Sequence, residues 1–477
     1  MRLRMAACWL ALAMMAMAAV TVVAQEARKA QMWLTTGDRA SLVALQPAPL
    51  AFGPPSDAPV QPPALAPVVI DVNDMAQFQS MDGFGVALTG GSARLLTKMD
   101  PATRAALLKE LFTPGPDGVG VSYLRLSIGA SDMNDHVFSY DDLPDGQTDP
   151  QVTKFDLGQD KQDVIPVMKE ILAIAPQIKI LGSPWSAPAW MKTNGKVKGG
   201  ELKPEFYEAF AIYLTKYVQA MKAEGITIDA ITVENEPLNP KNTPSMVVFA
   251  NEEGEFIGKH LGPSFAKNGI KTKILLYDHN PDVTSYPLSI LGDAVASQYV
   301  DGTAFHLYGG DASLLTPVHD AYPNKNLYLT EQSVNSRPNG PFGIAAAVAR
   351  VPIGSTRNWS KNVLFWNLAA DPQNGPHTND GGCTGCSGAI TIDGNNVNRN
   401  LAYYALAHFS KFVPAGSVRI WSSESEQLST VAFLRPDGKI ALVAANVGNF
   451  DKAFAVRYHG KTFTTTIPTE GVATYVW

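Results

Sequence analysis

The sequence predicts an α/β fold, a (β/α)8 barrel carrying a small all-β sandwich built from both ends of the chain. Three observations point to it. From Met81 onward, eight short apolar runs alternate with longer amphipathic or loop-like stretches. After about Lys411 only strand-like runs remain. Near the N-terminus, isolated short strands lack partners of their own and need an adjoining sheet.

In chain order, residues 1–24 read as a signal peptide. Arg2 and Arg4 give a positive start, an apolar run extends from Met5 to Val23, and small residues Val22 and Ala24 precede Gln25. The expected location is therefore secreted or periplasmic. An uncleaved anchor is the competing reading of this run, but no later stretch is long and apolar enough to span a bilayer. Residues 25–80 hold the N-terminal strands of the sandwich and a Pro-rich segment from Pro47 to Pro67, which Pro bars from a central strand or a helix. Val68 to Val72 then reads as a strand.

The barrel is expected over 81–412. Its strands are read at 83–88, 122–128, 178–183, 229–234, 273–278, 302–307, 326–330 and 362–367. Residues 204–224 illustrate the helices between them, with apolar residues at helical spacing and Pro204 at the start. Eight such units match a closed barrel. No Gly-x-Gly-x-x-Gly follows a strand, so an open dinucleotide-binding sheet is disfavoured. Residues 413–477 supply the rest of the sandwich, with Pro436-Asp437-Gly438 as a hairpin turn.

The chain has 477 residues and a formal net charge of -6, without a Lys/Arg run interleaved with aromatics. A nucleic-acid partner is excluded on that pattern. Beyond the leader, Cys383 and Cys386 stand in Gly-Gly-Cys-Thr-Gly-Cys-Ser-Gly. A local disulfide is the favoured reading in an exported protein. Zinc would need further ligands nearby, and a redox Cys-x-x-Cys should open a helix.

Barrel sites lie at the C-terminal ends of the strands. Strand four ends in Glu234-Asn235-Glu236-Pro237, strand six in His306-Leu307-Tyr308 and strand seven in Thr330-Glu331. Strand three ends in Ser183-Pro184-Trp185 and strand eight in Phe365-Trp366-Asn367. Two carboxylates on different strands, facing one cavity, are the minimum for glycoside hydrolysis. Aromatic faces stack on sugar rings, and Asn and His bond hydroxyls. Glu234 and Glu236 share strand parity, so alternation does not separate them.

Those strand-four residues, with Asp82-Gly-Phe-Gly85, Arg125-Leu-Ser-Ile-Gly-Ala-Ser-Asp132, Ser183 to Asn194, Trp366-Asn-Leu368 and His408 to Phe412, resemble glycoside hydrolase family 30. This group includes glucosylceramidases, β-1,6-glucanases and β-xylosidases. The resemblance implies a retaining β-glycosidase with Glu236 as acid/base and Glu331 as nucleophile, Glu234 being a supporting carboxylate. Glu236 then starts protonated, its pKa above that of Glu331. Asp132, Trp185, Asn235, His306, Tyr308 and Trp366 are implied in substrate binding, with Arg125 behind Glu331. The expected partner is a carbohydrate or glycolipid, with no cofactor, no metal and no obligate membrane insertion. Glucosylceramidase-like or exo-β-glucosidase action is placed first, then endo-β-1,6-glucanase, then β-xylosidase. A non-catalytic carbohydrate-binding protein would lack one carboxylate, and both are present. The first-strand segment Gly83-Phe-Gly-Val-Ala-Leu-Thr-Gly-Gly-Ser departs from the family pattern and is expected near the substrate entrance.

Overall fold

A computed structural model describes residues 28–54, 68–115, 117–334 and 343–477. The expected signal peptide and most of the Pro-rich segment lie outside these residues. Eight parallel strands close a barrel: Gly83–Leu88, Tyr123–Ile128, Lys179–Pro184, Ala230–Thr232, Lys273–His279, Val300–His306, Asn326–Glu331 and Ser360–Phe365. They are numbered one to eight below. Every residue of strands one, two and four is buried, as expected for a parallel sheet covered by helices.

Helices follow where local chemistry starts them. Thr89 caps Gly90–Lys98 by accepting from the Ser92 amide. Asp100 caps Pro101–Phe112 by accepting from the amides of Ala102 and Thr103, with Pro101 at the first helical position. The expected helix over 204–224 is observed as a short 3₁₀ turn, Pro204–Phe206, leading into Tyr207–Ala223. It buries Phe210, Tyr213, Leu214, Tyr217 and Met221 on the barrel side.

Inside the barrel the lower layer is apolar: Tyr123, Leu181, Ala230, Leu275, Ala304, Tyr328 and Leu364 pack together. Two residues further along most of these strands the layer becomes polar, and the site is built there.

The second unit draws on both chain ends. Lys29–Thr35 pairs antiparallel with the C-terminal strand Val472–Val476, and Val68–Ser80 lies between Val418–Ser422 and Lys452–Tyr458. The strand expected at 68–72 runs on to Ser80, carrying the chain directly into barrel strand one. Phe52, Phe463 and Trp477 pack in the sandwich core. The joint with the barrel is apolar as well. Phe84, Phe409 and Phe433 meet there, and the buried His408 bridges Thr35 and Thr474 by hydrogen bonds of 2.8 Å each. Burial pushes the His408 imidazole down to about 3, so it holds this joint as a neutral group. Among the described residues no helix is long and apolar enough to cross a membrane.

Candidate active site

A cleft of about 530 Å³ opens at the C-terminal end of the barrel, lined by Asp132, Glu236, Asn239, His279, Tyr308, Glu331, Trp366 and the Gly381–Cys386 turn among others. A cavity of about 510 Å³ at the opposite end is lined by Lys179, Lys222, Lys271, Lys273, Asp82 and Asp229. It lies at the end of the fold that barrel chemistry does not use.

Strand seven ends on Glu331 and fixes both of its oxygens. Arg125 donates to Oε2 at 2.6 Å, and the Tyr308 hydroxyl donates to Oε1 at 3.0 Å. Arg125 is itself buried between strands. It donates to Asn235 Oδ1 and Asp278 Oδ2 at 2.7 Å each, and its guanidinium lies 4.7 Å from the Trp185 ring centroid. Burial raises the Glu331 carboxyl above its ordinary value, against the opposing charges of His306 and Arg125.

Glu236 comes from the segment after strand four, which ends at Thr232. Beyond that residue the chain leaves strand geometry. Asn235 turns inward to Arg125, and Glu236 adopts a φ of 50° while its amide bonds the Asp278 carbonyl at 3.0 Å. Its Oε2 accepts from Asn239 at 2.7 Å and from Asn242 at 3.3 Å. The Oε1 atom lies 3.1 Å from His306 Nδ1 and 4.0 Å from His279 Nε2. Glu234 does not line the cleft. It is buried, and that burial pushes its carboxyl well above the usual range, opposed by the charge of Lys192. Of the two carboxylates that strand parity leaves equivalent, Glu236 and not Glu234 lines the cleft.

The residue beneath both carboxylates is Asp278, which sequence reasoning missed. Fully buried, it accepts from Arg125 at 2.7 Å, Ser183 at 2.8 Å, Thr232 at 2.9 Å and Thr330 at 2.5 Å, and lies 3.1 Å from His306 Nε2. Burial opposes its ionisation, but Arg125 and these bonds outweigh that and hold it far below the carboxylate range. The signal available was its place at the end of strand five, in Tyr277-Asp278-His279.

His306 faces Asp278 with Nε2 and Glu236 Oε1 with Nδ1. Burial lowers the imidazole's affinity for a proton, but Glu331, Asp278 and Glu236 overcome this and raise it to about 10. Glu236 is correspondingly held down to about 2, the His306 bond and charge outweighing its burial. The two share one proton and titrate as a pair. Glu236 is thus lowered and Glu331 raised, the reverse of the order implied for a Glu236 that starts protonated.

Other expected residues fall into two groups. Asp132, Tyr308 and Trp366 line the cleft, and Asp132 Oδ1 is buried with no hydrogen-bond partner. Trp185, Asn235 and His306 do not line it. Trp185 packs on Trp366, ring centroids 5.4 Å apart, while Asn235 and His306 are engaged by Arg125, Glu236 and Asp278. In the first-strand segment, residues 83–93 are buried, and Gly90 and Gly91 pack against Asn134 and Met133, next to the cleft residue Asp132. Cys383 and Cys386 form a disulfide.

One oxygen each of Glu236 and Glu331 and a nitrogen of His306 lie within 4.8 Å of one another, close enough to reach a single cation. Both oxygens of Glu331 are already engaged, by Arg125 and by Tyr308, and those of Glu236 face Asn239 and His306. The arrangement suits two carboxylates acting on one bond between them.

Two family models match the chain: the glycosyl hydrolase family 30 TIM-barrel domain over residues 81–413, and the family 30 beta sandwich domain over residues 416–475. An endo-1,6-β-D-glucanase of Trichoderma harzianum is 35% identical over 430 residues, covering 85% of this chain and 86% of the relative. The lysosomal acid glucosylceramidase of Mus musculus is 30% identical over 437 residues, covering 84% and 82%. The solved structure of an endo-β-1,6-glucanase superposes with a TM-score of 0.85 at 35% identity, covering 94% of this chain and 99% of that one.

Proposed function

The chain belongs to glycosyl hydrolase family 30 and is a glycoside hydrolase, and from that premise we propose that it is a retaining endo-β-1,6-glucanase. Glu331 is the nucleophile and Glu236 the acid/base. The observation carrying the mechanism is the carboxylate spacing, with oxygens of the two residues within 4.8 Å. Retaining enzymes hold their carboxyls about 5–5.5 Å apart, whereas inverting ones leave about 6.5–9.5 Å for a water.

Glu331 attacks the anomeric carbon while Arg125 and Tyr308 keep its oxygens aimed. The leaving oxygen takes the proton that Glu236 shares with His306, through the 3.1 Å contact. A glycosyl-enzyme ester forms. Water then displaces the sugar from Glu331, giving its proton back to the Glu236–His306 pair, and the starting state is restored. Asp132, Trp366 and the amide nitrogen of Asn235 serve the sugar's hydroxyls and face.

Similarity favours β-1,6-glucan over glucosylceramide: relatives named endo-1,6-β-D-glucanases are 34–35% identical, against 30% for the glucosylceramidase. This places the glucanase reading ahead of the glucosylceramidase-like one expected first from the sequence. Export by the N-terminal segment fits a polymeric substrate. A panel of β-1,6-glucan, glucosylceramide, aryl β-glucoside and aryl β-xyloside tests it. The expected result is mixed oligosaccharides from β-1,6-glucan early in the reaction, with β configuration at the newly formed reducing ends. Glucose as the sole early product means exo action, and preferred cleavage of glucosylceramide returns the substrate to the lipid.

The pH profile follows from the same groups. Glu331 must be ionised to attack, and its pKa is raised, so kcat/KM should fall on the acid side at a pKa above the ordinary 4.5. The alkaline limb reports loss of the shared proton and should lie above the ordinary histidine value of 6.5. Limbs below those two values contradict the assignment.

A further inference from the structure

The Gly-rich segment closed by the Cys383–Cys386 disulfide is not a remote staple. Gly381, Gly382, Cys383, Gly385 and Cys386 line the same cleft as Glu236 and Glu331. The segment is held against two different site loops. Its amide at Thr378 bonds the Asp132 carbonyl at 3.0 Å, while the Thr378 hydroxyl bonds the Thr243 carbonyl at 2.7 Å and the Gly381 carbonyl accepts from the Thr243 amide at 3.3 Å. Thr243 belongs to the loop that carries Asn239 and Asn242, the donors to Glu236.

Contact with that loop is tight. A Cβ on Gly381 would lie 2.4 Å from the Lys241 carbonyl, and one on Gly388 would lie 2.5 Å from the Ala369 Cα. Between these anchors Cys386 packs with Trp185 and Trp366, and Cys383 packs on the same cluster. The disulfide thereby fixes the middle of a turn whose two ends are already docked. Gly385 differs from the anchoring glycines. It lines the cleft, a Cβ there would meet nothing within 4 Å, and its φ lies outside the left-handed region.

We infer that the disulfide-closed turn Gly381–Cys386 is the wall of the leaving-group subsite, and that the bare backbone at Gly385 leaves the width through which the sugar on the acid/base side passes. The inference rests on the proposed roles of Glu236 and Glu331, because the turn is docked on the loop that holds Glu236 and the acid/base faces the leaving group. Sugar rings need a flat, unencumbered passage, and a side chain at Gly385 would project into it. The disulfide keeps the wall at a fixed distance without placing a bulky residue there.

The test compares β-glucosyl fluoride, which has no leaving-group sugar, with a β-1,6-linked gluco-oligosaccharide. Gly385→Leu is expected to lower kcat/KM on the oligosaccharide by roughly tenfold or more, the scale on which pocket shape discriminates. Fluoride hydrolysis should stay within about twofold, since contacts absent from a substrate do not alter its transition state. Gly385→Ala should sit between Gly385→Leu and the native enzyme. Reduction of the folded protein with dithiothreitol, and the Cys383→Ser/Cys386→Ser double variant, should weaken the oligosaccharide selectively, mainly through KM. Thermal unfolding of each variant checks that the fold is intact. Equal losses on both substrates, or no loss on either, overturn the inference. If the native enzyme cleaves the fluoride but not the oligosaccharide, the β-1,6 reading fails instead. The same comparison is then made with an alkyl β-glucoside, whose aglycone crosses the same wall.

Discussion

Replacing Glu331 by alanine is expected to lower kcat on the order of 10⁶-fold, the scale recorded when a covalent nucleophile is deleted. Among the described residues, Asp132 and Glu236 are the other carboxyl groups lining the cleft. Asp132 lines it, but burial pushes its carboxyl well above the usual range, which disfavours the charged form an attacking carboxylate needs. Glu236 sits on the opposite side of the reacting bond and is committed to His306. The truncation leaves a space beside Arg125 and Tyr308, both hydrogen-bond donors that favour an anion.

Added azide gives this prediction a stereochemical readout. In Glu331→Ala, azide attacks from the nucleophile's face and yields an α-glycosyl azide, given an activated leaving group. In Glu236→Ala the glycosyl-enzyme still forms, and azide opens it to the β-glycosyl azide. NMR of the two products therefore assigns each carboxylate independently of rate. Interchanged products would mean that the roles are reversed, and absence of any azide adduct with normal turnover in Glu331→Ala would remove the nucleophile altogether.

Much of this site was legible because a parallel barrel reports itself in sequence. Strands buried on both faces read as apolar runs, and their C-terminal ends show where polar residues gather. Glu331 was readable on those grounds as the last residue of strand seven, although the register against strand six skips Thr330 just before it. Glu236 needed the family resemblance. Strand four stops at Thr232, and from there the chain follows bonds to Pro184 and Asp278 that no local pattern encodes. His306 and Trp185 were found at their strand ends, but the bonds of His306 to Glu236 and Asp278 and the packing of Trp185 on the Arg125 guanidinium were not. A strand-end residue is visible in sequence, yet whether it faces the sugar or supports the group that does depends on contacts across the barrel.

Asp278 shows the limit most clearly. Leu275 belongs to the inward apolar layer, so strict alternation would turn Tyr277 inward and Asp278 outward. Instead Tyr277 and Asp278 have φ of 75° and 58°, and the register against strand six slips there, with Ala304 opposite Tyr277 and Phe305 opposite His279. This bulge reverses the faces. Tyr277 packs outward on Tyr286 and Phe305, and Asp278 enters the barrel. Single-residue insertions of this kind re-aim side chains at active sites, and period-two reading fails wherever one occurs.

The second large effect is expected at that residue. Asp278 balances two buried cations, Arg125 and the imidazolium of His306, with all three side chains at 0% exposure. Asp278→Ala should therefore destabilise the protein by roughly 3–5 kcal/mol, the cost of stranding a buried charge whose partner is removed. Thermal unfolding measures this directly, and an unchanged transition would show that the charges are balanced elsewhere. Asp278→Asn separates charge from volume. The Asp278 carboxylate raises the proton affinity of His306 by hydrogen bond and by charge, so its neutralisation lowers that affinity. The proton shared with Glu236 is then lost at lower pH, and the alkaline limb of kcat/KM should move toward neutrality while the acid limb, set by Glu331, moves less. A merely structural Asp278 would lower activity at every pH without displacing that limb. The shape of the profile, more than the size of the loss, decides whether Asp278 positions the catalytic proton.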